Sequence, residues 1–442
     1  MKTDGEPFDR RVRGWSIEQL NEQAWFAFNY AQPSGILLLS PPRAAKYLKQ
    51  LDQGLDPLTC RVPLEPPLRT LTAWLHIVNV CNLSCPHCYI PQLRRTDSND
   101  EIAKASISAD TLELSLKSLI IYCRENQIHK LHIKFAGGEP TLSVPLLRKA
   151  CEYACAAKGP LAISFAILTN GSNCSTEFLQ LVKAYCINVS ISLDGLADEH
   201  DRIRGFIGGR KRVSSWSVAV KTIDCLQQVG VAPYILFTIT SANYNDFLPL
   251  TTWVHNRGLG IRASLVRLPL TPSDDTQDRM ACSIIESYRD IGSSMPLSLS
   301  FANHAKFAEW NLLKRKFLAC GSCRNYFSID SHGAVASCQM TINRPLGNLK
   351  IHSLSEIIFK SKGESALKTL VHPEQRVGPC TDCRYFHTCS GGCPQHTQFA
   401  TGSISNKSPW CRLLGKLLPE YIKANAVHLW RRACALAEPA NE

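Results

Sequence analysis

Residues 71–89 read LTAWLHIVNVCNLSCPHCY. An apolar run containing Leu, Ile and Val but no Gly or Pro ends at Val80, and this composition predicts a buried strand. Cys81, Cys85 and Cys88 follow it within eight positions. Three thiols so close can serve a disulfide, a zinc ion or an iron–sulfur cluster. A structural zinc site wants four ligands, and no fourth Cys completes this loop. His87 stands between Cys85 and Cys88 and is expected to point outward.

Downstream of this strand the chain alternates. Strand-like runs KLHIKFAGGEP, LAISFAILTNG, INVSISLDG, VAPYILFTIT and LGIRASLVRL are separated by helical stretches at Ala109–Glu125, Pro145–Ala157, around Glu177–Tyr185, and up to Val229. Strands alternating with helices predict βα units with parallel strands. Roughly six repeats between Leu71 and Leu268 suit an α/β fold, a partial (β/α)6 TIM barrel. Such a barrel carries its chemistry at the C-terminal ends of its strands, and the three-cysteine loop is the first βα loop.

The bulk composition narrows the class. With 442 residues, 45% hydrophobic and 19% charged, the chain has material for two or three globular domains. The net charge of +12 sits in small separate groups such as Arg10, Arg11 and Arg13; Arg210, Lys211 and Arg212; and Lys314, Arg315 and Lys316. No basic stripe interleaved with aromatics appears, so nucleic acid is not expected as a partner. No apolar run is long enough for a membrane span, and MKTDGEPFDRRVRGW lacks the apolar core of a secretory signal. A cytoplasmic protein without membrane contact is expected.

Twenty cysteines are too many for an ordinary cytosolic chain, where thiols stay reduced and clusters of them read as metal ligands. Cys60, Cys123, Cys151, Cys155, Cys174, Cys186, Cys225, Cys282 and Cys434 are scattered among apolar neighbours and are expected to be inert core thiols. The other eleven are grouped. After about Pro272 the strand–helix alternation stops, and a Cys-rich stretch runs from Cys320 to Cys411. Four segments are therefore expected. Residues 1–70 form an N-terminal cap, with strand material around Gly35, a helix over Arg43–Leu51 and a Pro-rich linker CRVPLEPPLR. Residues 71–300 form the barrel, 301–415 a metal-built domain, and 416–442 a C-terminal helix interrupted near Pro419.

The C-x3-C-x2-C spacing of Cys81, Cys85 and Cys88, with Tyr89 after the last cysteine, resembles the radical S-adenosylmethionine (SAM) family. The resemblance implies a 4Fe–4S cluster with one iron left open to chelate SAM. Its electron cleaves the sulfonium and releases a 5′-deoxyadenosyl radical that takes hydrogen from the substrate. Later motifs extend the likeness. Gly137, Gly138 and Glu139 of FAGGEP follow the second strand and imply contact with the SAM amino group, the glycines allowing close backbone approach to the ligand. Asn170 ends the third strand, and Ser192 with Arg204 of HDRIRG imply contacts to the SAM carboxylate and ribose.

The array C-x9-G-x4-C, then C-x2-C-x5-C-x3-C, then Cys411 resembles the SPASM extension of peptide-modifying radical SAM enzymes. That resemblance implies two auxiliary 4Fe–4S clusters, one on Cys320, Cys323, Cys338 and Cys393 and one on Cys380, Cys383, Cys389 and Cys411. Three clusters would then occupy all eleven grouped thiols, with Cys320 the weakest member because of its short spacing to Cys323. The group acts on ribosomally made precursor peptides and takes electrons from a reductant such as flavodoxin or ferredoxin. Residues 1–70 vaguely resemble a leader-peptide recognition fold, in which a leader would add a strand to a sheet edge.

One departure separates the chain from enzymes that oxidise a sulfatase Cys or Ser to formylglycine. They carry Asp after the cysteine matching Cys338, and here that residue is Gln339. An amide is no general base. The expected chemistry is side-chain crosslinking (carbon–carbon, ether or thioether), with formylglycine generation and backbone excision as alternatives within enzymes. An iron–sulfur electron-transfer scaffold is the alternative outside them. Asp194, Asp201, Asp330 and His332 are candidates for placement near the site.

Overall fold

The computed structural model describes residues 15–30, 35–53, 68–90, 93–207, 213–268, 272–310, 312, 320–363, 380 and 383–437. Cys60, most of the Pro-rich linker, and the basic groups at 10–13, 210–212 and 314–316 lie outside them. A ten-stranded sheet organises the chain. In sequence order its strands are β4 (Thr70–Val78), β7 (Lys130–Gly137), β8 (Ala162–Thr169), β9 (Asn188–Ser192), β10 (Tyr234–Ile239), β11 (Gly260–Leu265), β12 (Ala305–Phe307), β13 (Tyr326–Ile329), β14 (Ala334–Ala336) and β15 (Gly347–Asn348). They run β12-β11-β10-β9-β8-β7-β4-β13-β14-β15 across the sheet, and β4 through β12 pair in parallel. This is the α/β partial barrel that the strand–helix alternation predicts.

Alternation within each strand builds both faces. In β4, Leu71, Ala73, Leu75 and Ile77 are fully buried against the helices, while Trp74 turns to the lumen. Phe135, Ile167, Ile191, Phe237 and Ala263 continue the apolar face. Several of the helices start on serine caps. Ser108, Ser175 and Ser214 accept the backbone N–H of Thr111, Phe178 and Ser217, each satisfying an otherwise orphaned donor.

Three features depart from the expectation. A further helix, Asp274–Ser294, leads to β12, so the alternation runs one strand beyond Pro272. The Cys-rich region also joins the sheet. β13 pairs in parallel with β4, matching Tyr326 to Thr72 and Ile329 to Leu75, and this continuity carries Cys320 and Cys338 to the barrel mouth. Finally, the helix Cys411–Ala437 runs through Pro419 without interruption. Its Leu413, Leu417, Leu418, Tyr421 and Ile422 are buried, and Arg289 and Arg412 bind Glu420 and Asp278 across to the helix Asp274–Ser294. This packing outweighs the single backbone bond that proline removes.

The N-terminal cap is a three-stranded antiparallel sheet of β1 (Trp15–Asn21), β2 (Ala24–Asn29) and β3 (Leu37–Leu39), followed by the helix Pro41–Asp52. One face forms a small core with Trp15, Ile17, Leu39, Tyr47 and Leu51. The other, with Phe26, Phe28 and Tyr30, merges into the main core, and Thr388 donates its hydroxyl to the Tyr30 carbonyl at 3.0 Å. Two short strands, β5 (Val80–Cys81) and β6 (Arg94–Arg95), bracket the three-cysteine loop. Among the described residues no helix is long and apolar enough to cross a membrane.

The scattered cysteines are not uniformly core. Cys123 and Cys151 are buried, but Cys155, Cys186 and Cys282 are exposed. Small apolar neighbours in sequence mislead here, because these three sit on the solvent face of their helix or turn.

Candidate active site

A cavity of about 430 Å³ opens at the C-terminal ends of the barrel strands. Cys81, Cys85 and Cys88 line it, and so do Gly137, Gly138, Glu139, Asn170, Ser192 and Arg204. The same cavity receives Cys320, Cys338, Cys393 and Gln339 from the Cys-rich region.

The loop is held by a polar contact of its own and by Asn170, just past β8. Leu83 N–H points at the Cys81 sulfur at 3.5 Å, and the Asn170 amide donates to Asn82 Oδ1 at 2.8 Å and approaches the Cys81 sulfur at 3.8 Å. Burial, then the nearby Glu139 charge, pushes the Cys81 thiol up to about 12. Cys338 is likewise raised to about 12 by burial and by Cys393 and Cys320. Thiolates in such surroundings need a cationic group bound to them, as in a metal cluster.

The glycines of the motif line the cavity and also let neighbouring backbone come close. A Cβ on Gly138 would lie 1.8 Å from the Val80 carbonyl oxygen, and one on Gly137 (φ +126°) would lie 2.2 Å from that of Val78. The close approach is therefore to the backbone entering the cysteine loop. Gly138 N–H bonds to the Val78 carbonyl at 2.8 Å and Glu139 N–H to that of Val80 at 3.0 Å. Glu139 itself is buried. Its Oε1 accepts from Thr141 N–H, Thr141 Oγ1 and Thr169 Oγ1 at 3.0, 2.6 and 2.7 Å, and its Oε2 from Asn170 N–H at 2.7 Å. This carboxylate ties the ends of β7 and β8 together.

Asp194 is the electrostatic anchor. Burial opposes its charge, but Arg204, His87 and the Thr238 N–H outweigh that and hold it below the usual carboxylate range. Arg204 Nε donates to Oδ2 at 2.5 Å, His87 Nε2 lies 3.0 Å from Oδ2, and Thr238 N–H donates to Oδ1 at 2.9 Å. Arg204 Nη1 also reaches the Cys85 sulfur at 3.7 Å. His87 thus turns inward, contrary to expectation, because a fully buried carboxylate offers it a partner that solvent cannot match. Asp201 instead caps the helix Ser215–Gln228, accepting Trp216 N–H at 2.7 Å, and Asp330 closes the turn before β14. Neither these two nor His332 lines the cavity. Arg262, Arg267 and Glu309 do, and sequence reading missed them. The available signal was one charge, Arg262, amid the apolar run GIRASLV.

A second void, about 50 Å³, is lined by Cys380, Cys383, Cys389 and Cys411 between Phe386, Leu414 and Leu418. Cys323 lines neither space. It is buried with φ 59°, its N–H bonded to the Tyr326 carbonyl at 3.1 Å. Cys320, the member with the weakest spacing, is the one that faces Cys338 and Cys393 across the cavity. Among the described residues no three Cys, His, Asp or Glu side chains converge on a point that would hold a single ion. Thiols set around voids suit the larger body of a cluster better than a zinc ion.

The Radical SAM superfamily matches residues 75–251, and the SPASM iron–sulfur cluster-binding domain matches 320–384. The chain thus carries a radical SAM domain and a SPASM domain, and these domains support SAM and iron–sulfur clusters as its cofactors. It is 24% identical to a serine-type anaerobic sulfatase-maturating enzyme of Klebsiella pneumoniae, over 80% of this chain and 89% of that one. It is also 24% identical to the sporulation killing factor maturation protein SkfB of Bacillus subtilis (strain 168), over 65% of this chain and 64% of SkfB. The solved structure of native anSMEcpe with bound AdoMet shares the fold with a TM-score of 0.65 at 17% identity, over 82% of this chain and all of that one.

Proposed function

We propose that this protein is a peptide maturase that removes hydrogen from a residue of a ribosomally made precursor and forms a side-chain crosslink. In this reading Cys81, Cys85 and Cys88 hold a 4Fe–4S cluster, and Gly137, Gly138, Asn170, Ser192 and Arg204 surround SAM. Cys320, Cys323, Cys338 and Cys393 hold one auxiliary cluster, and Cys380, Cys383, Cys389 and Cys411 a second. When bound, the reduced cluster and SAM supply the radical that takes the substrate hydrogen. The chain's own residues orient and exclude water. Asp194 fixes Arg204 beside Cys85, Glu139 holds the β7 and β8 ends in register, and the apolar lumen walls Leu168 and Leu236 keep the site dry.

The observation that carries the reading is the sharing of one cavity by the three-cysteine loop and by Cys320, Cys338 and Cys393. A substrate there lies between a radical source and an electron acceptor. Gln339 argues for chemistry other than formylglycine formation. Its Oε1 already accepts the Tyr89 hydroxyl at 2.6 Å, and an amide offers no basic group to take a substrate proton. Similarity to the serine-type maturase keeps formylglycine generation as the second reading. Co-expression with any short reading frame found beside the gene, followed by mass spectrometry, tests both. A crosslink removes two hydrogens, and the product does not react with an aldehyde probe. An unchanged peptide mass contradicts the crosslinking reading, and a product that reacts with the aldehyde probe favours formylglycine.

A further inference from the structure

The cavity matches its cations unequally with carboxylates. Three guanidinium groups line it, those of Arg204, Arg262 and Arg267. Asp194 pairs with Arg204, and Glu309 lies 3.5 Å from Arg267. Arg262 forms no ion pair among the described residues, and its buried Nε meets no hydrogen-bond acceptor. Its place in β11 explains why it faces inward: Ile261 and Ala263 are fully buried against the helices, so Arg262 and Ser264 take the lumen register. More cations lie around it. Lys306 is its register partner on β12, and Lys134 projects from β7 with its ammonium 5.0 Å from the Trp74 ring centre. Burial, then the charges of Arg262 and Lys306, lowers the Lys134 pKa.

A second unmatched donor lines the same cavity. Gln339 is 3% exposed, and its Nε2 has no partner while Oε1 is occupied by Tyr89. A buried cation without a counter-ion and an amide donor without an acceptor each cost free energy. One ligand chemistry answers both: an anionic oxygen pair, which a planar guanidinium binds in a fork.

We propose that Arg262 and Gln339 recognise a carboxylate of the substrate, either an Asp or Glu side chain or the peptide's C-terminal carboxylate. The proposal rests on reading this cavity as the peptide site. Arg262 and Gln339 act as positioning residues that set which substrate residue meets the three-cysteine loop. Arg204, held by Asp194 beside Cys85, is left to the SAM side of the cavity.

The test uses the full-length, cluster-reconstituted protein with saturating SAM, under anaerobic equilibrium dialysis. Three probes are compared: N-acetyl-glutamate α-amide, N-acetyl-alanine with a free carboxylate, and neutral N-acetyl-glutamine amide. One acid is expected to bind at least about tenfold more tightly than the neutral probe, and which one binds identifies the carboxylate source. Arg262→Gln removes that preference, Arg262→Lys restores most of it, and Gln339→Glu reverses it by placing a like charge at the site. If Arg262→Gln fails to fold, judged by circular dichroism and iron content, Gln339→Glu carries the test. The proposal is overturned if the neutral probe binds as well as both acids, or if the folded variants bind the acids as wild type does. SAM cleavage by the wild type, measured separately as 5′-deoxyadenosine, tests the enzyme reading on its own. Its absence would sink that reading without altering what the dialysis says about the carboxylate site.

Discussion

The molecule builds two cysteine sites in opposite ways. Around Cys380, Cys383, Cys389 and Cys411 the chain supplies four thiols to a void of about 50 Å³ walled by Phe386, Leu414 and Leu418. Around Cys81, Cys85 and Cys88 it supplies three thiols to a cavity of about 430 Å³, with Arg204, Ser192 and Asn170 facing the same space. The first arrangement leaves no room for a ligand. The second leaves room and provides polar groups to hold one. The two differ in the completeness of the thiol set and in the polarity of the surroundings, and the proposed function assigns chemistry to the open site and electron storage to the closed one.

The largest expected effect separates the two sites. Cys85→Ala should lower 5′-deoxyadenosine formation by about 10³-fold or more, because the loop then keeps only Cys81 and Cys88. Cys389→Ala should retain SAM cleavage while losing roughly four irons per chain, the content of one cluster. Equal loss of SAM cleavage in both variants would erase the contrast.

Breaking the scaffold beneath the open site comes next. Asp194→Ala strands the Arg204 cation in a buried setting and should destabilise the protein by about 3–5 kcal/mol in urea unfolding. Gly138→Ala forces a Cβ to within 1.8 Å of the Val80 carbonyl oxygen, so the cysteine loop must move. A loss of about 3 kcal/mol is expected, with the loop's iron lost first. Wild-type stability in Gly138→Ala would show that the β7–loop contact is not what shapes the site, and in Asp194→Ala that the buried ion pair is not.

A smaller effect follows from Glu139. Glu139→Gln replaces a carboxylate that accepts four hydrogen bonds with an amide that cannot accept at its nitrogen, at about 1–3 kcal/mol. The gentlest probe is pH. His76 and His200 are buried, and burial lowers both to about 4 from 6.5. Each is neutral in the fold, so its contribution is fully present above pH 6.5 and is lost as pH falls toward 4. The slope is at most about 1.4 kcal/mol per pH unit for each imidazole. A urea midpoint flat between pH 6.5 and 4.5 would refute that.

Much of this was legible in the residues. The six βα strands show as apolar runs because parallel strands are buried on their helix face along their whole length. The cysteine spacings mark both sites. What the sequence hid was tertiary. Nothing local says that β13 would pair with β4 and bring Cys338 and Gln339 to the mouth of the barrel, since parallel pairing across 250 residues leaves no turn signal. The motif FAGGEP was found, but its glycines face the Val78 and Val80 carbonyls, a close approach only coordinates reveal. Arg262 was passed over because a single cation in a strand carries no period. Pro419 looked like a break, and packing along Asp274–Ser294 overruled it.

The central claim is that the three-cysteine cavity is the site of SAM chemistry. The most direct measurement is reductive cleavage of SAM by the reconstituted protein with dithionite, reading 5′-deoxyadenosine. The account predicts its formation by wild type and by Cys389→Ala, and none by Cys85→Ala. A fully iron-loaded wild type that leaves SAM intact, or a Cys85→Ala variant that still cleaves it, would contradict the account.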